Sequence, residues 1–230
     1  MTALSIDVVS DLVCPWCFIG KRHLDRALEL WREEQPDCAV TLRWHPFFLN
    51  PDTPECGEAY RPFLEKKFGG PEKLAEIWQR VSAAGRTAGI GFAFDKIELR
   101  ANTLNAHRLI HYAQKGAPEA TAVNTLIEGL FAAQFLEGRH LGDRTVLAAV
   151  AGDCGMERKD VQRYLDSTED ADQVAAAAAE MSRQGISGVP FFIFGKRLAA
   201  SGAQPPEALL QAMRDAAGAS TAAGYEVRRP

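Results

Sequence analysis

Nothing in this chain approaches the roughly twenty consecutive apolar residues that a membrane span requires. Charge of one sign is equally scarce. Against 30 aspartates and glutamates stand 26 lysines and arginines, a net charge of −4, so neither nucleic acid nor an anionic membrane is an expected partner. The amino-terminal stretch Met1-Thr2-Ala3-Leu4-Ser5-Ile6-Asp7 carries no basic cluster and no apolar core and runs straight into a strand pattern, which makes a cytoplasmic location the expectation. Cysteine is sparse and odd in number: Cys14, Cys17, Cys38, Cys56 and Cys154. Such a set argues against a secreted domain stapled by disulfides. It also argues against a metal, because a closed zinc site takes four ligands and no second Cys-x-x-Cys or His-x-x-x-His pair completes one. What is present, 47% hydrophobic and 24% charged residues over 230 positions, suits a soluble globular protein with a substantial core.

Two of the five thiols carry the chemical signal. In Ser10-Asp11-Leu12-Val13-Cys14-Pro15-Trp16-Cys17 they stand two residues apart, after an apolar strand pattern and before an amphipathic helical one. Pro15 suits the first helical position, where its missing N–H costs nothing. Cys14 then falls at the helix cap and Cys17 about one turn in. The amides and positive dipole end of that helix favour a thiolate at Cys14, while Cys17 is expected to lie deeper and to attack a mixed disulfide. In a reducing compartment a Cys-x-x-Cys pair points to redox work or metal binding more readily than to structure.

The layout around the pair is strand, helix, strand. Residues 4–9 are rich in β-branched side chains; Leu24, Ala27, Leu28 and Trp31 recur at helical spacing and should stop before Pro36; residues 39–44 resume strand character. From about Glu58 to Gln184 the periodicity is almost wholly helical, with starts at Pro71, Asn102, Pro118 and Asp143 and an alanine run at 175–179. Strands return only at 191–194 and 197–200, before a closing helix opened by Pro206. Strands at both ends with helices between them predict an α/β core interrupted by a large α-helical insertion. The expected boundaries are 1–57 with 185–217 for the core, 58–184 for the insertion, and 218–230 for a flexible tail.

The residues Asp11-x-x-Cys14-Pro15-Trp16-Cys17, the long helical insertion and the late Gly188-Val189-Pro190-Phe191-Phe192 resemble the DsbA-like thioredoxin superfamily. Within it, Lys67-Phe68-Gly69, Asn102-Thr103-x-x-Ala106-His107-Arg108-Leu109 and Ser201-Gly202-Ala203-Gln204-Pro205 resemble the cytosolic FrnE-type oxidoreductases. The resemblance implies a thioredoxin-like fold and thiol–disulfide exchange on protein or small-molecule disulfides. No tightly bound cofactor is implied, and glutathione would be a redox partner. It further implies Cys14 as nucleophile, Cys17 as resolving thiol, and Pro190 as a cis-proline facing them, with the Val189 backbone offered to an extended substrate. Two departures stand out. Trp16 supplies no imidazolium, which implies a couple less oxidising than DsbA itself. Val8 stands where thioredoxin-like proteins bury an acid, leaving Asp11 either as the group that handles the Cys17 proton or as a turn residue.

Other positions keep two readings. His107 is either a packed histidine or a wall of a substrate groove; Ser201 and Gln204 either bind an anionic group or cap the last helix. Pro15 and Trp16 border the dithiol and are expected to shield it and meet substrate. The rival function is a glutathione-dependent isomerase or transferase of the hydroxychromene-carboxylate isomerase or kappa type, whose members usually carry serine where Cys14 stands. A third is a non-catalytic peptide-binding module. Oligomeric state has no signature in the sequence.

Overall fold

In the computed structural model, which describes residues 3–116, 120–218 and 226–228, the chain forms two compact units, Met1–Phe47 with Ala177–Pro230, and Phe48–Ala176. The first division falls beside the strand end at Pro46 rather than at 57/58, and the second falls within a helix rather than at 184/185. The chain leaves the sheet at Pro46, and the second half of α8 (Ala171–Arg183) belongs to the first unit.

The first unit is a mixed sheet built outward from β1 (Ala3–Ser10), whose Leu4, Ile6 and Val8 are buried on alternate positions, as a half-covered strand requires. β2 (Ala39–Pro46) runs parallel to it, with Ile6 opposite Leu42. A parallel neighbour demands a crossover, supplied by α1 (Pro15–Glu34), which buries Cys17, Phe18, Leu24, Leu28 and Trp31. α1 ends where its periodicity does: the Gln35 amide closes onto the Trp31 carbonyl at 2.8 Å, and Pro36 follows. On the other side of β1 lies β5 (Phe191–Phe194), antiparallel, then β6 (Leu198–Ser201), giving the order β2-β1-β5-β6. α9 (Pro206–Gly218) packs against α1, and Arg214 forks onto the Glu34 carboxylate. The expectation of a loose tail differs at residues 226–228, which add an edge strand parallel to β6; the remainder of 219–230 lies outside the described residues. The free edge of β6 offers backbone groups for that pairing.

The second unit is mainly helical: α2 (Tyr60–Phe68), α3 (Pro71–Thr87), α4 (Leu104–Gly116), α5 (Ala120–Ala132), α6 (Arg144–Asp153) and α7 (Arg158–Asp166). Leu109, Leu126, Ile127, Leu130, Phe131 and Phe135 form its buried centre. The caps sit where side-chain chemistry predicts them: Asn102 accepts the Leu104 amide at 3.0 Å and Asp143 accepts that of Thr145 at 2.7 Å. The helix start expected at Pro118 lies outside the described residues. Two features depart from a wholly helical reading. β3 (Glu58–Ala59) and β4 (Leu99–Arg100) pair as a two-residue antiparallel ribbon, too short to leave an alternating pattern. α5 passes into a π turn at Ala133–Glu137, closed by Gly138 in a left-handed conformation at φ 73°.

Candidate active site

Cys14 and Cys17 occupy the start of α1, just beyond the carboxyl end of β1. The local geometry follows from the sequence. Asp11, Leu12 and Val13 turn the chain, the Cys14 amide closing onto the Asp11 carbonyl at 3.0 Å. Cys14 is then the extended cap residue, with Pro15 at the first helical position. The amides of Cys17 and Phe18 turn back to the Cys14 carbonyl, at 3.0 and 3.4 Å. No first-turn amide caps the Cys14 sulfur, which sits at the amino end of the helix. Cys14 Sγ instead lies 3.8 Å from the Val189 carbonyl, to which it donates.

Both thiols are free and access to them is ordered: Cys14 keeps 6% of its surface and Cys17 1%. Burial pushes the Cys17 thiol well above its ordinary range, and the neighbouring Cys14 pushes in the same direction through a hydrogen bond and charge. The Ser10 hydroxyl and an Asp11 backbone hydrogen bond pull it back. Cys14 is thus the more accessible of the two sulfurs.

The Val189–Pro190 peptide bond is cis. Pro190 packs on α1 at Gly20, where a Cβ would lie 2.8 Å from Pro190 Cγ and 3.2 Å from Phe192 Cζ. Glycine inside a helix is unfavourable unless something must come close, and here the proline ring does. The segment 201–204 is tied to the same place: the Gly202 amide donates to the Pro190 carbonyl at 2.8 Å, and His23 Nδ1, on α1, donates to the Gln204 carbonyl at 2.8 Å. The Gln204 side chain turns back to the Ser201 carbonyl at 2.7 Å. It does not cap α9, whose first amides, of Ala208 and Leu209, close onto Pro205 instead.

Of the sequence candidates, Cys14, Pro15, Trp16, Cys17, Val189, Pro190, Ser201 and Gln204 all lie in the first unit, with Trp16 and Val189 half-buried. His107 belongs to the second, on α4, buried and edge-on to Phe48 with ring centroids 5.5 Å apart. Gly20, Ser10 and His23 escaped the sequence reading. A glycine within a strong helical pattern was the one available signal, for Gly20. Among the described residues, no group of three or more His, Cys, Asp or Glu side chains could hold a metal ion.

This arrangement can be set beside known proteins. The family described as DSBA-like thioredoxin domain matches residues 5–214. The chain belongs to that family. The DsbA-like match spans β1 to α9 and so takes in the dithiol, the cis-proline and the helical unit together. Among solved structures, a probable DsbA oxidoreductase of Streptomyces coelicolor is similar over 96% of this chain and 93% of its own, at 25% identity and a TM-score of 0.82. The cytosolic disulfide reductase DsbM of Pseudomonas aeruginosa, in a structure with GSH, is similar in fold over 93% of this chain and 95% of its own, at 17% identity and a TM-score of 0.61. The uncharacterized protein YwbO of Bacillus subtilis is 26% identical over 83% of this chain and 86% of its own. The fold is thus the thioredoxin-like α/β fold of DsbA-like proteins, carrying its helical insertion between the strands of the sheet.

Proposed function

We propose that this protein is a thiol–disulfide oxidoreductase or isomerase in which Cys14 attacks and Cys17 resolves. The observation that carries the reading is the ordered pair of free thiols at the start of α1, the outer sulfur 3.8 Å from the Val189 carbonyl beside Pro190. Cys14 thiolate attacks one sulfur of a substrate disulfide, forming a mixed disulfide and releasing the other sulfur, which takes up a proton. Cys17, having lost its proton, then attacks Cys14 Sγ. The substrate's second thiol leaves, and the protein holds a Cys14–Cys17 disulfide. Two external thiols return it to the dithiol, and the same steps reversed oxidise a substrate.

The backbone of Val189 serves as a pairing edge for an extended substrate, with Pro15 and Trp16 flanking the outer thiol and the 201–204 segment behind Pro190. Glutathione is the thiol to try first as reductant, the DsbM structure having been solved with it. We place the chemistry in the cytoplasm, in the FrnE-type group, on the strength of the Cys-Pro-Trp-Cys centre and the closing Ser201-Gly202-Ala203-Gln204-Pro205 segment.

Insulin reduction and refolding of a scrambled disulfide substrate test this with Cys14→Ser and Cys17→Ser. The expected result is loss of activity in both, with a stable substrate adduct on Cys14 in the second. Full activity in both variants contradicts the dithiol mechanism. Glutathione-adduct turnover that survives Cys17→Ser supports instead a glutathione-dependent isomerase.

A further inference from the structure

α1 holds the region around Pro190 at two places one turn apart. Gly20 and His23 stand three residues apart on the helix and share a face. Gly20 receives the Pro190 ring. His23, half-buried, donates from Nδ1 to the Gln204 carbonyl at 2.8 Å, 181 positions along the chain. The segment between His23 and Pro190 is closely tied. β6 ends at Ser201, which stands opposite Phe191 on β5. One residue further, Gly202 takes a left-handed conformation at φ 81°, and its amide adds one more rung by donating to the Pro190 carbonyl at 2.8 Å. Gln204 closes the turn on itself, its amide on the Gly202 carbonyl at 2.9 Å and its side chain on the Ser201 carbonyl at 2.7 Å. Backbone donors for the Gln204 carbonyl are scarce. Pro205 and Pro206 have no N–H, and the amides of Ala208 and Leu209 go to Pro205. The imidazole of His23 supplies the donor, and α1 thereby grips the turn that grips Pro190.

We infer that His23 is a positioning residue for extended substrates: its hydrogen bond to Gln204 latches the 201–204 turn to α1 and so fixes the Val189 edge on which a peptide disulfide is laid. The inference rests on the dithiol reading given above. His23 acts through Gln204, Gly202 and Pro190 rather than on either sulfur, and no atom is transferred to or from it. Removing the donor leaves the sulfur chemistry as it was and loosens the surface beside it. A disulfide held in an extended peptide needs both the Cys14 sulfur and a fixed backbone edge to pair with. A small disulfide needs the sulfur alone.

Capture of Cys14 as a mixed disulfide separates the two needs. In the Cys17→Ser protein the mixed disulfide accumulates, and acid quenching with mass spectrometry gives its rate of formation. The two probes are hydroxyethyl disulfide and a short unstructured peptide joined to itself through a single cysteine. His23→Leu should slow capture by the peptide about three- to tenfold, the worth of one ordinary hydrogen bond, and leave capture by hydroxyethyl disulfide unchanged. His23→Asn matches leucine in shape but carries an N–H donor at the position of Nδ1, and it should restore the peptide rate. Equal slowing toward both probes overturns the inference, because it assigns the effect to the thiol or to general loosening of the fold. A leucine variant as fast as the parent toward the peptide overturns it too, as does an asparagine variant as slow as the leucine one. All three of these outcomes leave the dithiol mechanism standing. A Cys14 that captures neither probe with His23 in place overturns the dithiol reading itself, and the inference with it.

Discussion

Replacing Gly20 by alanine sets two effects of known size against each other. In an unencumbered helix interior the change stabilises by about 1 kcal/mol, because glycine loses more backbone freedom on folding than any other residue. In α1 the new methyl would lie 2.8 Å from Pro190 Cγ and 3.2 Å from Phe192 Cζ. Carbon atoms in contact prefer about 3.5–4.0 Å, so α1 and the Pro190 segment would have to part by roughly half an ångström or more. The closed proline ring has no rotamer in which to escape. Overpacking of this kind costs about 1–3 kcal/mol, which leaves a net loss between zero and about 2 kcal/mol after the helix gain. The consequence for chemistry exceeds that for stability, because the same separation opens the 3.8 Å approach of Cys14 Sγ to the Val189 carbonyl. Urea unfolding of the reduced protein and insulin reduction by the folded variant measure the two quantities separately. The expected outcome is equal or lower stability with a clear loss of activity, larger again for Gly20→Val. An alanine variant that gains about 1 kcal/mol and keeps full activity would refute the packing argument.

Arg108 supports a different structure. Buried in the second unit, it donates to the carbonyls of Tyr164, Ser167 and Glu169 at 3.1, 2.9 and 2.9 Å and to Asn105 Oδ1 at 2.8 Å, closing the carboxyl end of α7. Arg108→Met should therefore destabilise by about 3–5 kcal/mol in urea unfolding while the Cys14–Cys17 couple still forms. Alkali should also weaken the reduced protein. The unfolded Cys17 thiol ionises near 9.0 and the folded one well above it, so the stability from the protonated thiol is complete below about pH 9 and declines as pH rises beyond it. Tyr164, raised by burial and by Asp170 from 10.0, adds a loss of the same sign at higher pH. Unfolding of reduced protein and Cys17→Ala between pH 7 and 11 isolates the cysteine contribution, and parallel curves would contradict it.

The sequence made some of this legible and concealed the rest for physical reasons. The start of α1 could be read from Cys14-Pro15, its end from Gln35-Pro36, and two helix caps from Asn102 and Asp143, because each is decided by neighbours within a few residues. The dithiol could be read for the same reason. Gly20 could not, because its meaning depends on what faces it, a proline 170 positions along the chain. Arg108 in a helical stripe looks like a solvated charge until the carbonyls of α7 surround it. The ribbon at Glu58–Ala59 and Leu99–Arg100 is held by two residue pairs, less than one period of any pattern. Hydrophobic spacing reports which face of an element is buried and is silent on which element covers it.

The most direct test of the central claim is equilibration of the unsubstituted protein across a series of glutathione buffers, followed by acid quenching and peptide mapping by mass spectrometry. A single two-electron transition, with the loss of two hydrogens confined to a peptide linking Cys14 to Cys17, is the result this mechanism requires. A Cys14 and Cys17 pair that stays reduced or never joins across the whole series, or a disulfide formed through Cys38, Cys56 or Cys154 in its place, would contradict it.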